Sequence, residues 1–244
     1  DEAQPRWNGV MMWRGAAEWP SWRDGESMAI GGGLGGKFVL YPIDTPKNGK
    51  QLMNWVVNIR TKDPAITPPP DNSWSRGVSL STVLPHALRF SIPEFDIESL
   101  VRATDGIFEY PMADRDPLPR WTFGRVTLLG DAAHPMYPVG SNGASQAILD
   151  ARCLSDQLQQ AEHPRAALWF YEKQRLPVTA DIVVNNRKGG PEGVIDEVEK
   201  LAPAGFDNVD DVLSYEDRKA IVSGYAVKAG FSKVSADRAN RMQG

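Results

Sequence analysis

Residues 124–151 read GRVTLLGDAAHPMYPVGSNGASQAILDA. Three textures follow one another in this stretch. Residues 125–129, RVTLL, read as a short strand buried on both faces, on the apolar Val126, Leu128 and Leu129. Gly130 and Asp131 end that run, and Pro138, Gly140 and Gly143 then bend the chain. From Ala144 to Gln160 the residues Ala147, Ile148, Ala151, Leu154 and Leu158 recur at helical spacing. Strand, carboxylate, glycine turn and helix is the order in which open α/β sheets place ligands outside the carboxyl ends of their strands.

The chemistry available at this bend follows from the residue types. Asp131 is an acceptor for hydroxyl donors such as those of a sugar or polyol. Gly130 lets backbone approach a ligand closely. Ser141, Asn142 and Ser145 suit a helix N-cap, so the helix from Ala144 aims unsatisfied N–H groups and its positive dipole end at the turn. An anionic atom held there gains roughly 0.3–1 kcal/mol at an exposed site. On these residues alone the bend is equally an ordinary strand-to-helix cap.

Outward from the bend, residues 1–60 read as sheet. Short aromatic and β-branched runs at 10–13, 27–30, 37–41 and 52–59 are separated by Gly and Pro. TPPPDN at 67–72 is a surface loop. Two helical patches are expected at 79–84 and 96–103, then a strand at 106–112 and a turn-rich link at 114–120. Beyond the central helix, helices are expected at 165–175 and 178–187 with Pro177 between them, followed by helical pieces at 194–201, 209–213 and 215–229. This gives three segments: a sheet domain over 1–115, an α/β segment over 116–187 and a helical tail over 188–244.

The 244 residues carry a net charge of -4, with the basic residues scattered, which argues against a nucleic-acid face. Cys153 is the single cysteine, so no intrachain disulfide forms and a reducing, cytoplasmic setting fits. No apolar run approaches a membrane span and no signal-peptide pattern opens the chain. Gly31 to Gly36 (GGGLGG) formally fits a dinucleotide or phosphate loop, but the KFVLYPI that follows is a strand and not a helix, so a glycine-rich hairpin is the better reading. His134 lies three residues after Asp131 with no third ligand in pattern, so no metal site is expected. His86 and His163 read as surface or satisfied histidines, and Cys153 as a small buried residue. Trp13, Arg14, Tyr41 and Trp55 are candidate linings of a pocket for an aromatic substrate; sheet core for the rings and a surface salt bridge for Arg14 are the plainer alternatives. Arg115 reads as a linker ion pair.

The string GDAAHPMYPVGSNGASQAILDA resembles the second flavin-contacting motif of the class A flavoprotein monooxygenases, the FAD-dependent aromatic hydroxylases built like p-hydroxybenzoate hydroxylase. NGVMMWRG, KFVLYPI, YPMADRDPLPRW and the tail NNRKGGPEGVIDEVEKLAPAGF are similar to segments of the phenazine-type hydroxylases. The resemblance implies an α/β architecture: an α+β substrate-domain sheet, the C-terminal part of a Rossmann-like FAD-binding domain and a helical tail. It implies that Asp131 binds the ribityl chain, with Gly130 and Gly140 shaping the site. Asn142, Gly143, Ala144 and Ser145 would contact the ring, and the Pro138 carbonyl would face its reactive edge. NAD(P)H is the implied co-substrate and a small aromatic compound the implied substrate. A homodimer is one assembly this reading allows.

Two departures stand out. Ser141 and Asn142 occupy positions where relatives often carry Gly and Gln. The family's N-terminal dinucleotide fingerprint and its Asp-Gly motif are absent. With a start lacking methionine, this reads as a fragment whose N-terminal half is a partner elsewhere. Weak FAD binding, no turnover and a partly uncovered apolar stripe on the 144–160 helix are then expected. Two other readings remain: a same-fold flavoprotein reductase or dehydrogenase, and a non-catalytic binding domain. The WxWxIP pattern of flavin halogenases is not present.

Overall fold

The structure is a computed structural model and describes residues 5–61 and 76–228; the loop expected at 67–72 lies outside them. Two units emerge from the packing, one of residues 7–112 and one of residues 1–6 with 113–244.

The first unit is built on a five-stranded sheet. Its strands are β1 (Arg6–Pro20), β2 (Ala29–Gly33), β3 (Gly36–Pro42), β4 (Lys50–Arg60) and β5 (Phe108–Asp114), in the order β2-β3-β4-β1-β5. β2, β3, β4 and β1 pair antiparallel. The glycine run is the β2–β3 hairpin, with Gly33 opposite Gly36 and no helix after it. Side chains alternate across a strand, so Trp13, Gly15 and Ala17 share a face with their partners Val57, Trp55 and Met53, and with Phe38 and Leu40 of β3. Helices α1 (Leu80–Ala87) and α2 (Ile97–Arg102) contribute Val83, Ala87, Leu100 and Val101 to the same core. α2 is capped by Asp96, whose side chain accepts the Ser99 N–H. Gly15 is needed here for space: a Cβ at that position would stand 2.5 Å from Thr104 Cγ2 and 2.9 Å from the Trp55 ring.

The second unit is helical: α3 (Gly143–Gln160), α4 (Pro164–Asn186), α5 (Gly193–Leu201), α6 (Val209–Val212) and α7 (Tyr215–Lys228). Here two expectations fail. Residues 125–129 do not form a buried strand. They are the return arm of a tight turn in which Phe123 bridges Val126 around Gly124, at φ 68°, and the Leu128 N–H donates to the Trp121 carbonyl. Val126 is 64% exposed. A strand needs a ladder partner, and none of the described strands lies alongside this segment. It is held instead by side chains: the Glu172 carboxylate accepts the N–H groups of Trp121 and Thr122, and the Tyr171 hydroxyl donates to the Leu128 carbonyl.

Nor does Pro177 divide a pair of helices; it sits inside α4, which runs unbroken. Proline removes one N–H from the ladder. Nearby, the Thr179 hydroxyl donates to the carbonyls of Arg175 and Leu176, and buried Tyr171, Thr179, Ile182 and Val183 anchor the helix on both sides of the proline.

Candidate functional site

The bend between residues 130 and 145 is built from the inside by a buried ion cluster. α3 turns Gln146 and Asp150 inward, both 0% exposed. Asp150 accepts hydrogen bonds from the Gly130 N–H (3.1 Å), His134 Nε2 (2.5 Å) and Arg175 Nε (2.7 Å). Arg175 also donates to Gln146 Oε1 at 2.6 Å, and Gln146 Nε2 donates to Asn142 Oδ1 at 3.0 Å. Burial opposes ionisation of Asp150, yet the His134, Arg175 and Gly130 donors outweigh it and hold its carboxyl below the usual carboxylate range. One carboxylate thus ties the end of the 121–129 segment, the start of the bend, α3 and α4 together.

Outside this cluster the bend is open. Asp131 is exposed and has no hydrogen bond or ion pair among the described residues, whereas Asp150 carries the cluster. Gly140 (φ 73°) and Ser141 (φ 50°) are consecutive left-handed residues that throw the chain from Pro138 into α3. The Ser141 N–H returns to the Pro138 carbonyl, and the first helical bond is from the Gln146 N–H to the Asn142 carbonyl. Among the described residues no acceptor reaches the N–H groups of Gly143, Ala144 or Ser145, and Asn142 supplies no side-chain cap. A Cβ placed on Gly143 would stand 3.9 Å from Asp131 Oδ1, so the carboxylate lies beside Gly143, the first of these three residues.

Two expected contacts change meaning. Gly130 is buried, its N–H is taken by Asp150 and its carbonyl by the N–H groups of Ala133 and His134, so it has no backbone group left for a ligand. Its φ of 59° and its closeness to Ala147 explain the glycine. The Asn142 side chain is 0% exposed and engaged with Gln146, so it faces the interior and caps nothing.

In the sheet unit, Trp13 and Trp55 belong to the helix-covered core at 6% and 0% exposure. Trp13 Nε1 donates to Glu109 and its ring stacks on His86; Trp55 Nε1 donates to Thr104. Neither is free to line a pocket, because their strand register turns them toward α1 and α2. Tyr41 lies on the opposite face beside its register partner Asn54. Arg14 donates to Asn54 Oδ1 at 2.9 Å on that face and has no carboxylate partner among the described residues. Burial pushes the Tyr110 phenol up, and the adjacent Arg14 guanidinium acts against that. Asn54 is 1% exposed and its Nδ2 has no partner among the described residues.

Other single residues resolve simply. Cys153 is half-buried and donates to Gln174. The Arg115 carbonyl accepts from Arg187, whose guanidinium also pairs with Asp114 and Asp116. Among the described residues no helix is long and apolar enough to cross a membrane, and no His, Cys, Asp and Glu side chains cluster in a way that would hold a metal ion.

Residues 93–186 match the family described as FAD binding domain. The chain is 42% identical over 181 residues to phenazine 1,6-dicarboxylic acid hydroxylase PhzS of Lysobacter antibioticus, covering 73% of this chain and 44% of that protein. It is 45% identical over 89 residues to 3-hydroxybenzoate 6-hydroxylase 1 of Aquipseudomonas alcaligenes, covering 36% of this chain and 23% of that protein. The chain therefore spans less than half the length of these curated relatives. In fold it is similar to Klebsiella pneumoniae HpxO complexed with FAD and uric acid (TM-score 0.66, 22% identity, 96% of this chain and 56% of that one). A salicylate hydroxylase substrate complex gives TM-score 0.62, 20% identity, 96% of this chain and 59% of that one.

Proposed function

Because this chain belongs to the class A flavoprotein monooxygenases, we propose that its 130–145 bend grips the ribityl chain and ring of FAD in an enzyme that hydroxylates a small aromatic substrate with NAD(P)H and O2. The observation that carries this reading is the set of N–H groups on Gly143, Ala144 and Ser145 that find no acceptor among the described residues, with Asp131, also without a partner among them, beside Gly143. Bound FAD supplies hydride acceptance from NAD(P)H and delivery of one oxygen atom of O2 to an electron-rich ring.

The chain's own residues then have defined tasks. Asp131 accepts hydrogen bonds from the ribityl hydroxyls, and charge strengthens such bonds. The N–H groups of Gly143, Ala144 and Ser145, at the positive end of the 18-residue α3, hold negative charge at the pyrimidine edge of the ring. The Pro138 carbonyl, which already accepts the Ser141 N–H, keeps a lone pair to face the reactive edge. The sheet unit carries the candidate substrate residues. There Tyr41, Arg14 and Asn54, and not Trp13 or Trp55, present polar groups on the face away from α1 and α2. The stretch that formally fits a dinucleotide loop, GGGLGG, is the β2–β3 hairpin, so we assign this chain only the flavin-side contacts, and its single cysteine fits a cytoplasmic setting.

Weak, measurable FAD binding by this chain is expected in a fluorescence titration. Asp131→Ala should weaken it roughly tenfold or more, the worth of hydrogen bonds to a charged group. Unchanged affinity in that variant would remove the aspartate from the site.

A further inference from the structure

We propose that Tyr225, in the tail helix α7, is a positioning residue for the flavin-contacting turn, an inference that rests on the reading of residues 130–145 given above. Among the described side chains of α7, Tyr225 is the one that is buried. The ring lies against Gly140: a Cβ there would stand 2.5 Å from the Tyr225 hydroxyl oxygen and 2.7 Å from Cε1. On its other side it approaches Gly190, where a Cβ would stand 3.4 Å from Tyr225 Cε2. The hydroxyl donates to Asn186 Oδ1 at 3.0 Å and more weakly to the Val139 carbonyl at 3.4 Å. Asn186, 1% exposed at the end of α4, in turn donates to the Tyr137 carbonyl at 3.1 Å. The backbone of Tyr137, Val139 and Gly140 is thus fixed by one buried pair from two helices, neither of which belongs to the flavin motif.

The turn needs this support. Ser141 is a non-glycine residue at φ 50°, directly after Gly140 at φ 73°. Such a conformation is strained and persists only where surrounding structure imposes it. If Gly140 and Ser141 relax, the chain enters α3 at a different angle and the N–H groups of Gly143, Ala144 and Ser145 no longer converge beside Asp131. Tyr225 touches no ligand in this scheme. It acts through Gly140, and the glycine at 140 is explained by the tyrosine as much as by φ.

The test uses the full chain with FAD as the probe, and compares Tyr225→Phe and Tyr225→Ala with the parent. Two readouts are taken: FAD affinity by fluorescence, and amide hydrogen exchange resolved between the turn (139–145) and the interior of α4. Removal of the ring should speed exchange in the turn and raise the FAD dissociation constant roughly tenfold, with α4 protection unchanged; the phenylalanine variant, which keeps the ring on Gly140, should recover most of the affinity. A purely structural role would lower protection throughout the unit and leave the affinity of the folded protein alone, which overturns the proposal, as does parental affinity in the alanine variant. Should the alanine variant not fold, Tyr225→Leu, which keeps an apolar side chain but removes the ring from Gly140, takes its place: faster exchange at Val139 and Gly140 with weaker FAD binding supports positioning, and parental values for both overturn it. If the parent chain itself binds no FAD, the flavin reading fails, and that outcome is distinct from equal binding by parent and variants.

Discussion

Replacing Asp150 with alanine will destabilise the helical unit by about 3–5 kcal/mol, the range for removing one partner of a buried ion pair. The size follows from what is stranded. His134 and Asp150 are at most 2% exposed, and Arg175 Nε loses its acceptor with little access to water. The Gly130 N–H, also buried, loses its partner as well. Asp150→Asn keeps the shape but not the charge and should cost less. The same carboxylate sets an acid limit. Its folded pKa lies below the ordinary 3.8, so its contribution is fully present above that value and is lost as pH falls through the lower folded one. Hydrogen exchange on α3 and α4 during urea unfolding reads this unit separately from the sheet. A loss under about 1 kcal/mol would mean that the cluster is not the keystone of the bend.

Trp55→Ala should cost the sheet unit a similar amount, about 3–5 kcal/mol, as large aromatic truncations in packed cores do. Trp55 is fully buried, stacks near Phe38 at 6.3 Å between ring centroids, and anchors Thr104 through its indole N–H. It also fills the space that Gly15 leaves. A pocket-lining tryptophan would behave oppositely, with stability nearly unchanged and ligand affinity altered. Denaturant unfolding of the variant, followed on the β-strand amides, separates the two roles.

Much of the fold was legible because period-two and helical spacing survive in the sequence. The strands β2 to β5, the glycine hairpin and α3 stand where the pattern puts them, within a few residues, whereas β1 runs from Arg6 to Pro20, well beyond the 10–13 run that marks it. What the pattern does not carry is the identity of the partner that covers a face. The stripe on α3 is expected to be partly uncovered, and Ile148 is indeed 70% exposed, but the pattern does not show that the inward face holds the polar Gln146 and Asp150. Residues 125–129 likewise had the composition of a buried strand and lack a ladder partner. At the site, the free amides of Gly143, Ala144 and Ser145 and the open Asp131 stand where the motif resemblance assigned ligand contacts. The groups that support them were illegible: His134, Asp150, Arg175, Asn186 and Tyr225 lie far apart in sequence, and only tertiary packing brings the first three to one carboxylate. The inward-facing polar positions of α3, at 142, 146 and 150, do share a spacing of four residues, and that is the one sequence signal that marks this cluster.

The central claim is tested most directly by titrating FAD into the isotope-labelled chain and following its backbone amides by nuclear magnetic resonance. Saturable shifts concentrated at Asp131 and at Gly143, Ala144 and Ser145 are the predicted result. Saturable shifts elsewhere that leave those amides unmoved, or no shifts at all, would contradict it.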